Sequence, residues 1–241
     1  MLDLEFARLS DPGKARDHNE DYIGHSQPAT PTDGRSHGWL FALADGLGGH
    51  EKGEVASREA VERLIARFEA SPPDEPLAPM LTRLLREANA HVYELAHGSG
   101  MATTIVACLF RYDRLAVAHA GDSRCYLVRD GETRLLTRDH AKAKNVLSRS
   151  LGSDLFLNVD TSEHHVLPGD MVALCSDGLH GTVADTDFAA AAQHKDLGAA
   201  ARELVDLANQ RDGSDNISVQ LIRVRSVERV GMYRGRLYKL R

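Results

Sequence analysis

The sequence predicts an α+β domain of four layers, αββα, in which a central β-sandwich of mainly antiparallel strands is flanked by pairs of antiparallel helices. Three observations lead there. Two amphipathic stretches, residues 53–70 and 77–96, are separated only by Ser71-Pro72-Pro73-Asp74-Glu75-Pro76, so they form an antiparallel helix pair. Four apolar runs joined by short turns fill residues 103–137. A second helical pair, residues 186–193 and 197–209, precedes a last strand at 217–224. Strands and paired helices in these numbers bury their apolar faces best with sheet packed on sheet and helices outside. A chain of 241 residues is long enough for one large domain with a substantial core. We expect a single domain over residues 1–241 with a basic tail at about 226–241.

Taken in order, residues 2–9 alternate in polarity and read as a strand, ended by the turn Ser10-Asp11-Pro12-Gly13. A short strand is expected near Tyr22, and residues 27–37, rich in Pro, Thr and Gly, read as a loop. Residues 38–44 form the strand that feeds Asp45. After the first helix pair, strands at 103–111, 115–120, 125–129 and 133–137 read as a meander. Residues 145–152 look like one or two helical turns closed by Gly152. Strands at 156–166 and 170–175 flank the Pro168-Gly169 turn.

Composition narrows the function classes. The formal net charge is −6, so nothing global points to nucleic acid. From Arg223 onward, however, seven Lys/Arg face one acid, Glu228. This tail reads as a solvated strand and terminus, with a docking patch for an acidic partner as the alternative. Cys108, Cys125 and Cys175 each lie in strand-like runs and none belongs to a C-x-x-C pair, so buried reduced thiols are expected. The opening residues carry acids, no apolar stretch approaches membrane-spanning length, and a cytoplasmic protein without membrane contact is the expectation.

The chemistry gathers around Phe41-Ala42-Leu43-Ala44-Asp45-Gly46-Leu47-Gly48-Gly49-His50, where an apolar run ends in a carboxylate and a glycine-rich turn leads into a helix. Asp-Gly after a strand is ordinarily a hairpin turn. Here helical spacing follows instead of a second strand, whereas Asp130-Gly131 has strand-like residues on both sides and reads as the ordinary hairpin. The arrangement recurs: Asp122 and Asp177 each end an apolar run, Asp215 stands at the mouth of one, and Arg16 to Asp21 adds an arginine and further acids. A single such aspartate is usually a turn residue. Several brought together would repel strongly unless cations neutralised them, and hard oxygen ligands favour Mg²⁺ or Mn²⁺.

Seven motifs, in this order over most of the chain, resemble the metal-dependent Ser/Thr phosphatases of the PPM, or PP2C, family in a bacterial spelling. They are Arg16-x-x-Asn19-Glu20-Asp21, Asp45-Gly46-x-Gly48-Gly49-His50, Gly100-Met101-Ala102-Thr103-Thr104, Gly121-Asp122-Ser123-Arg124, Thr137-Arg138-Asp139-His140, Ser176-Asp177-Gly178-Leu179 and Asp215-Asn216-Ile217-Ser218. The resemblance implies a β-sandwich holding two Mn²⁺ or Mg²⁺ ions at one end. Asp45 would bridge them, the Gly46 carbonyl would complete one site, and Asp177 and Asp215 would hold the other. Asp122 with Asp177 would form a weaker third site. Asp21 would orient metal-held waters and Arg16 would grip the phosphate. The implied reaction is hydrolysis of phosphoserine and phosphothreonine in proteins by a hydroxide bridging the ions, in opposition to a bacterial Ser/Thr kinase. The alternative is a non-catalytic phosphoprotein-binding module on the same fold; a two-metal nuclease is less favoured because no basic groove is evident. Two departures stand out. Leu47 occupies a position where some relatives carry histidine, which makes His50 the candidate proton donor, with a metal-held water as the alternative. Only Ala141 to Lys144 separate two motifs between which relatives carry a flap, so Lys142 and Lys144 read as plain surface lysines, with a role in meeting phosphate or acidic residues as the alternative.

Overall fold

The computed structural model describes residues 1–47, 51–143, 146–233 and 236–239, with the backbone alone at 51, 142–143, 146, 232–233 and 236–239. The chain runs β1 (Asp3–Asp11), β2 (Asp21–Ser26), α1 (Pro31–Ser36), β3 (Trp39–Leu47), α2 (Glu51–Glu69), α3 (Leu77–Ala96) and β4 (Ala102–Thr103). It continues through β5 (Ile105–Arg111), β6 (Arg114–Ala120), β7 (Arg124–Arg129), β8 (Glu132–Leu135), β9 (Ala141–Ala143), β10 (Val146–Leu147) and β11 (Asp160–His165). The last elements are β12 (Met171–Cys175), α4 (Asp177–His180), α5 (Asp185–Ala191), α6 (Leu197–Arg211), β13 (Ile217–Ser226), β14 (Val230–Tyr233) and β15 (Arg236–Lys239).

Two antiparallel sheets carry the fold. One has the order β11-β6-β5-β3-β2, with β4 on the end of β3; the other has the order β1-β13-β12-β7-β8. Side chains alternate across each strand, so every central strand serves two cores. In β3, Phe41 and Leu43 enter the space between the sheets, while Leu40, Ala42 and Ala44 pack under α2 and α3. In β12, Val172 and Leu174 face the other sheet, and Met171, Ala173 and Cys175 face α5 and α6. Burial on both faces explains why these strands read as unbroken apolar runs. Among the described residues the layers are therefore helix pair, sheet, sheet, helix pair, as the sequence predicts. Gln220 on β13 ties the sheets together by donating from Nε2 to Gly24 O at 3.1 Å. All three cysteines are free and buried, and burial pushes their thiols well above the usual range, which leaves them inert.

Four expectations are corrected. Residues 27–37 contain a helix: Thr30 accepts from Asp33 N, Asp33 accepts from Thr30 N, and Pro31 opens the first turn. The loop-like composition hid this capping box. The meander is two hairpins in different sheets, because Gly121-Asp122-Ser123 carries the chain from β6 in one sheet to β7 in the other. Gly121 adopts φ +117°, and a side chain there would strike Thr104, so the crossing requires glycine. No helical turn forms at 146–152; β10, a bend and a Leu151–Thr103 bridge occupy it, with Asn89 Oδ1 accepting from Gly152 N. The strand expected from residue 156 begins at Asp160. The basic tail extends β13 to Ser226 and then forms the β14–β15 hairpin.

Candidate metal centre

The carboxylates meet where strands of both sheets end. Asp21 on β2 is directly opposite Asp45 on β3 in the antiparallel ladder. The Asp45 backbone is fixed on both sides: its N–H donates to Thr104 Oγ1 at 3.0 Å, and its carbonyl accepts from Thr103 Oγ1 and Thr104 N, each at 2.8 Å. Gly46 follows, and a side chain there would run into Gly53 O and Glu20 O, so the backbone beside Asp45 stays bare. From the second sheet, Asp177 opens α4 directly after β12 and Ser176. Asp215 stands just before β13, with Asn216 N donating to its Oδ1 at 2.9 Å. Asp122 sits in the crossing between β6 and β7.

Electrostatics show how close these groups are. Burial raises the Asp45 carboxyl well above its ordinary value, and the charges of Asp21, Asp177, Asp215 and Asp122 all add to the rise. Asp177 is raised by burial and by Asp215, and its carboxyl is a hydrogen-bond neighbour of Asp45. Burial, then Asp177, pushes Asp122 up to about 6. Asp21 rises to about 7, chiefly through burial, with Asp177 and Asp215 contributing and the Ser176 hydroxyl opposing. The expected acids Asp21, Asp45, Asp122, Asp177 and Asp215 are thus brought together. Arg16 joins them through Nη2, 3.0 Å from Asp215, and Asp215 raises its pKa further; half of the Arg16 side chain remains exposed. His50 and Lys144 lie outside the described residues, as does the Lys142 side chain.

Neighbours that the sequence reading had not given roles hold this arrangement. Ser176 Oγ donates to Asp21 Oδ2 at 2.8 Å and accepts from Ser218 N at 3.0 Å. Buried Asn216 accepts from Glu20 N and donates to Pro12 O and His18 O, stapling the Arg16 loop to the mouth of β13. His180 Nε2 donates to Asp122 O at 2.9 Å; burial, aided by Arg124, pushes its pKa down to about 4, so it is a neutral donor near pH 7. Adjacency to Asp177 and Asp215 was the available signal for Ser176 and Asn216. No pattern marked His180.

These residues fit divalent cations. The donors are oxygens, as Mg²⁺ and Mn²⁺ require. Asp21 is 7 % exposed, and its Oδ1 has no hydrogen-bond partner. A buried carboxylate oxygen left unsatisfied is costly, and a cation or the water it holds would satisfy it. A second cluster, His119, His140 and Asp160, fits a metal poorly. His140 Nδ1 accepts from Gly121 N, which puts its proton on Nε2, and Arg149 already sits 2.6 Å from Asp160 Oδ1. That cluster braces Gly121 instead.

Known proteins share this architecture. Residues 15–221 match the Protein phosphatase 2C family. The serine/threonine protein phosphatase PstP of Mycobacterium tuberculosis is 34 % identical over 90 % of the chain, which spans 44 % of that protein's length. The serine/threonine phosphatase stp of Listeria welshimeri is 31 % identical, covering 94 % of this chain and 96 % of the relative. A solved structure of the PstP catalytic domain in complex with two manganese ions is 31 % identical, with a TM-score of 0.81 over 93 % of this chain and 99 % of that one. With its five converging aspartates, its paired sheets and a match over most of its length, the chain belongs to the protein phosphatase 2C family.

Proposed function

We propose that this chain hydrolyses phosphoserine and phosphothreonine monoesters in proteins, and so reverses a bacterial Ser/Thr kinase. The observation that carries the reading is the convergence of Asp21, Asp45, Asp122, Asp177 and Asp215 beside Arg16, in a cluster with more acid than its own cation neutralises. Asp45, the Gly46 carbonyl, Asp177 and Asp215 would hold two Mn²⁺ or Mg²⁺ ions, and Asp122 with Asp177 a weaker third. When bound, such ions supply a water acidic enough to attack phosphorus near neutral pH. Asp21, anchored by Ser176, would orient that water. Arg16 would turn its fork from Asp215 to the substrate phosphate and stabilise the charge spread over its oxygens. The leaving alcohol would take a proton from His50 or from water. No side-chain nucleophile is needed, which agrees with the inert thiols.

The same reading takes residues 1–241 as one domain and places it in the cytoplasm; among the described residues no helix is long and apolar enough to cross a membrane. The expected result is Mn²⁺-dependent phosphate release from p-nitrophenyl phosphate and from a phosphothreonine peptide. Purified protein inert toward both across Mn²⁺ and Mg²⁺ titrations would overturn the reading. Phosphopeptide binding without turnover would favour the binding-module alternative.

A further inference from the structure

The strand ends that position the carboxylates also anchor one short loop, residues 152–159. On one side it leaves Leu151, whose backbone exchanges hydrogen bonds of 3.0 and 2.7 Å with Thr103, the residue whose hydroxyl holds the Asp45 carbonyl. On the other side it returns at Asp160, paired with His119 at the end of β6, three residues before Asp122. The loop is held firmly between these anchors. Asn89, fully buried on α3, donates to Asp154 O and Leu155 O at 2.9 and 3.0 Å and accepts from Gly152 N at 2.9 Å. Phe156 N donates to Asp154 Oδ1 at 3.0 Å, and the Ser150 and Ser153 hydroxyls meet at 2.6 Å. Leu151 and Leu157 are buried at the two ends, yet Phe156 between them is 86 % exposed and Leu155 is 49 % exposed.

Single apolar residues at a surface are ordinary. Adjacent ones on a loop immobilised by a buried asparagine, with both loop ends tied to the strands of a candidate catalytic centre, form a contact surface. We propose that Leu155 and Phe156 are an apolar shelf that receives a hydrophobic side chain of the phosphoprotein substrate. The proposal rests on the phosphatase reading above and adds the sequence preference of that site. Phe156 is five residues from Leu151 and four from Asp160. Those spans limit it to about 18 and 14 Å from the two anchors. Because both anchors adjoin strands that carry the acids, the side chain received belongs to residues flanking the phosphorylated one.

The test uses the full chain with Mn²⁺, p-nitrophenyl phosphate, and phosphothreonine peptides in which one leucine is moved through the flanking positions of a serine-rich background. The wild type should favour leucine at one position by at least about fivefold in kcat/KM, expressed mainly in KM, as burial of one apolar side chain allows. The Leu155→Ser/Phe156→Ser double variant should lose that preference, keep its turnover of p-nitrophenyl phosphate and lose little Tm, because Phe156 is almost wholly and Leu155 half exposed. Phe156→Leu should keep part of the preference. A wild type indifferent to leucine, or a double variant that retains the preference, overturns the shelf. So does a concentration-dependent dimer of the wild type that the double variant abolishes, which would assign the surface to a second copy of this chain. Wild-type inactivity toward every substrate, p-nitrophenyl phosphate included, would instead sink the phosphatase reading and the shelf with it.

Discussion

The two ends of β12 carry acids in opposite circumstances. Just before the strand, Asp170 is 2 % exposed and completely answered within the protein: Arg129 Nε and Nη2 reach its two oxygens at 2.8 and 2.6 Å, and Leu167 N donates at 2.7 Å. Just after the strand, Asp177 joins Asp21, Asp45, Asp122 and Asp215, and the arginine hydrogen-bonded to this group, Arg16, is half exposed and reaches Asp215. The sequence was able to place an arginine fork against a buried carboxylate at one end. At the other it stacks acid on acid and leaves an oxygen of Asp21 unpartnered. Structural neutralisation and a standing demand for external cations are therefore separated by the length of one strand.

The contrast is broken most forcefully by removing charge at each end. Asp45→Asn or Asp215→Asn should lower Mn²⁺-dependent turnover by at least roughly 100-fold, while metal-free Asp45→Asn keeps or gains Tm because repulsion is relieved. Steady-state kinetics and a thermal melt on the same sample check both halves. Near-normal turnover would refute the assigned roles. Asp170→Ala should do the reverse. Breaking a buried pair strands Arg129, and because that arginine is itself partly solvated we expect a loss of about 2–4 kcal/mol, or roughly 5–15 °C in Tm, independent of metal.

Metal removal sharpens the same point. Mn²⁺ at about 100 times its dissociation constant should stabilise the wild type by about 2.7 kcal/mol for each ion held, a chelator should reverse the effect, and Asp45→Asn should lack it. Acidity separates the ends more gently. In the metal-free protein Asp21 is raised to about 7, so between the ordinary carboxylate range and that value the folded state binds more protons than the unfolded one. Across that window this one group should lower stability as pH rises, by up to about 1.4 kcal/mol per pH unit, with its contribution lost as pH passes 7, and Asp21→Asn should reduce the slope by that share. The smallest effect concerns Asp187, which the Arg211 guanidinium and the Ala184 N–H hold below the usual range. Its contribution is present above the unfolded value near 3.9 and fades as pH falls through the folded one. Because the pair is partly solvated, Asp187→Asn should remove only a few tenths of a kcal/mol of acid sensitivity in pH-dependent melts.

Residue spacing made much of this legible. The separation of Asp45-Gly46 from Asp130-Gly131 held: Asp130 and Gly131 adopt φ of 52° and 82° in the turn between β7 and β8, whereas β3 runs through Gly46 to Leu47 without turning back. The helix pair α2–α3 followed from period and punctuation alone. Features set by distant contacts were not legible. Nothing local to Gly121 says that the next strand joins the other sheet, because the instruction lies in the pairing of β7 with β12. Residues 146–152 have helical spacing, but Thr103 and Asn89 capture their backbone groups. Asp45, Asp122 and Asp177 were readable because each ends an apolar run, Asp215 because it stands at the mouth of one, and Asp21 only through the motif that begins at Arg16. Their supports, Asn216 and His180, act on backbone groups far away in the chain, which periodicity cannot reveal.

Calorimetric titration of the metal-free protein with Mn²⁺ tests the central claim most directly, with wild type and Asp45→Asn compared in one buffer. The account predicts about two tightly bound ions per wild-type chain, as paired-ion hydrolysis requires, and a loss of that binding in the variant. Absence of binding by the wild type, or an undiminished isotherm from Asp45→Asn, would contradict it.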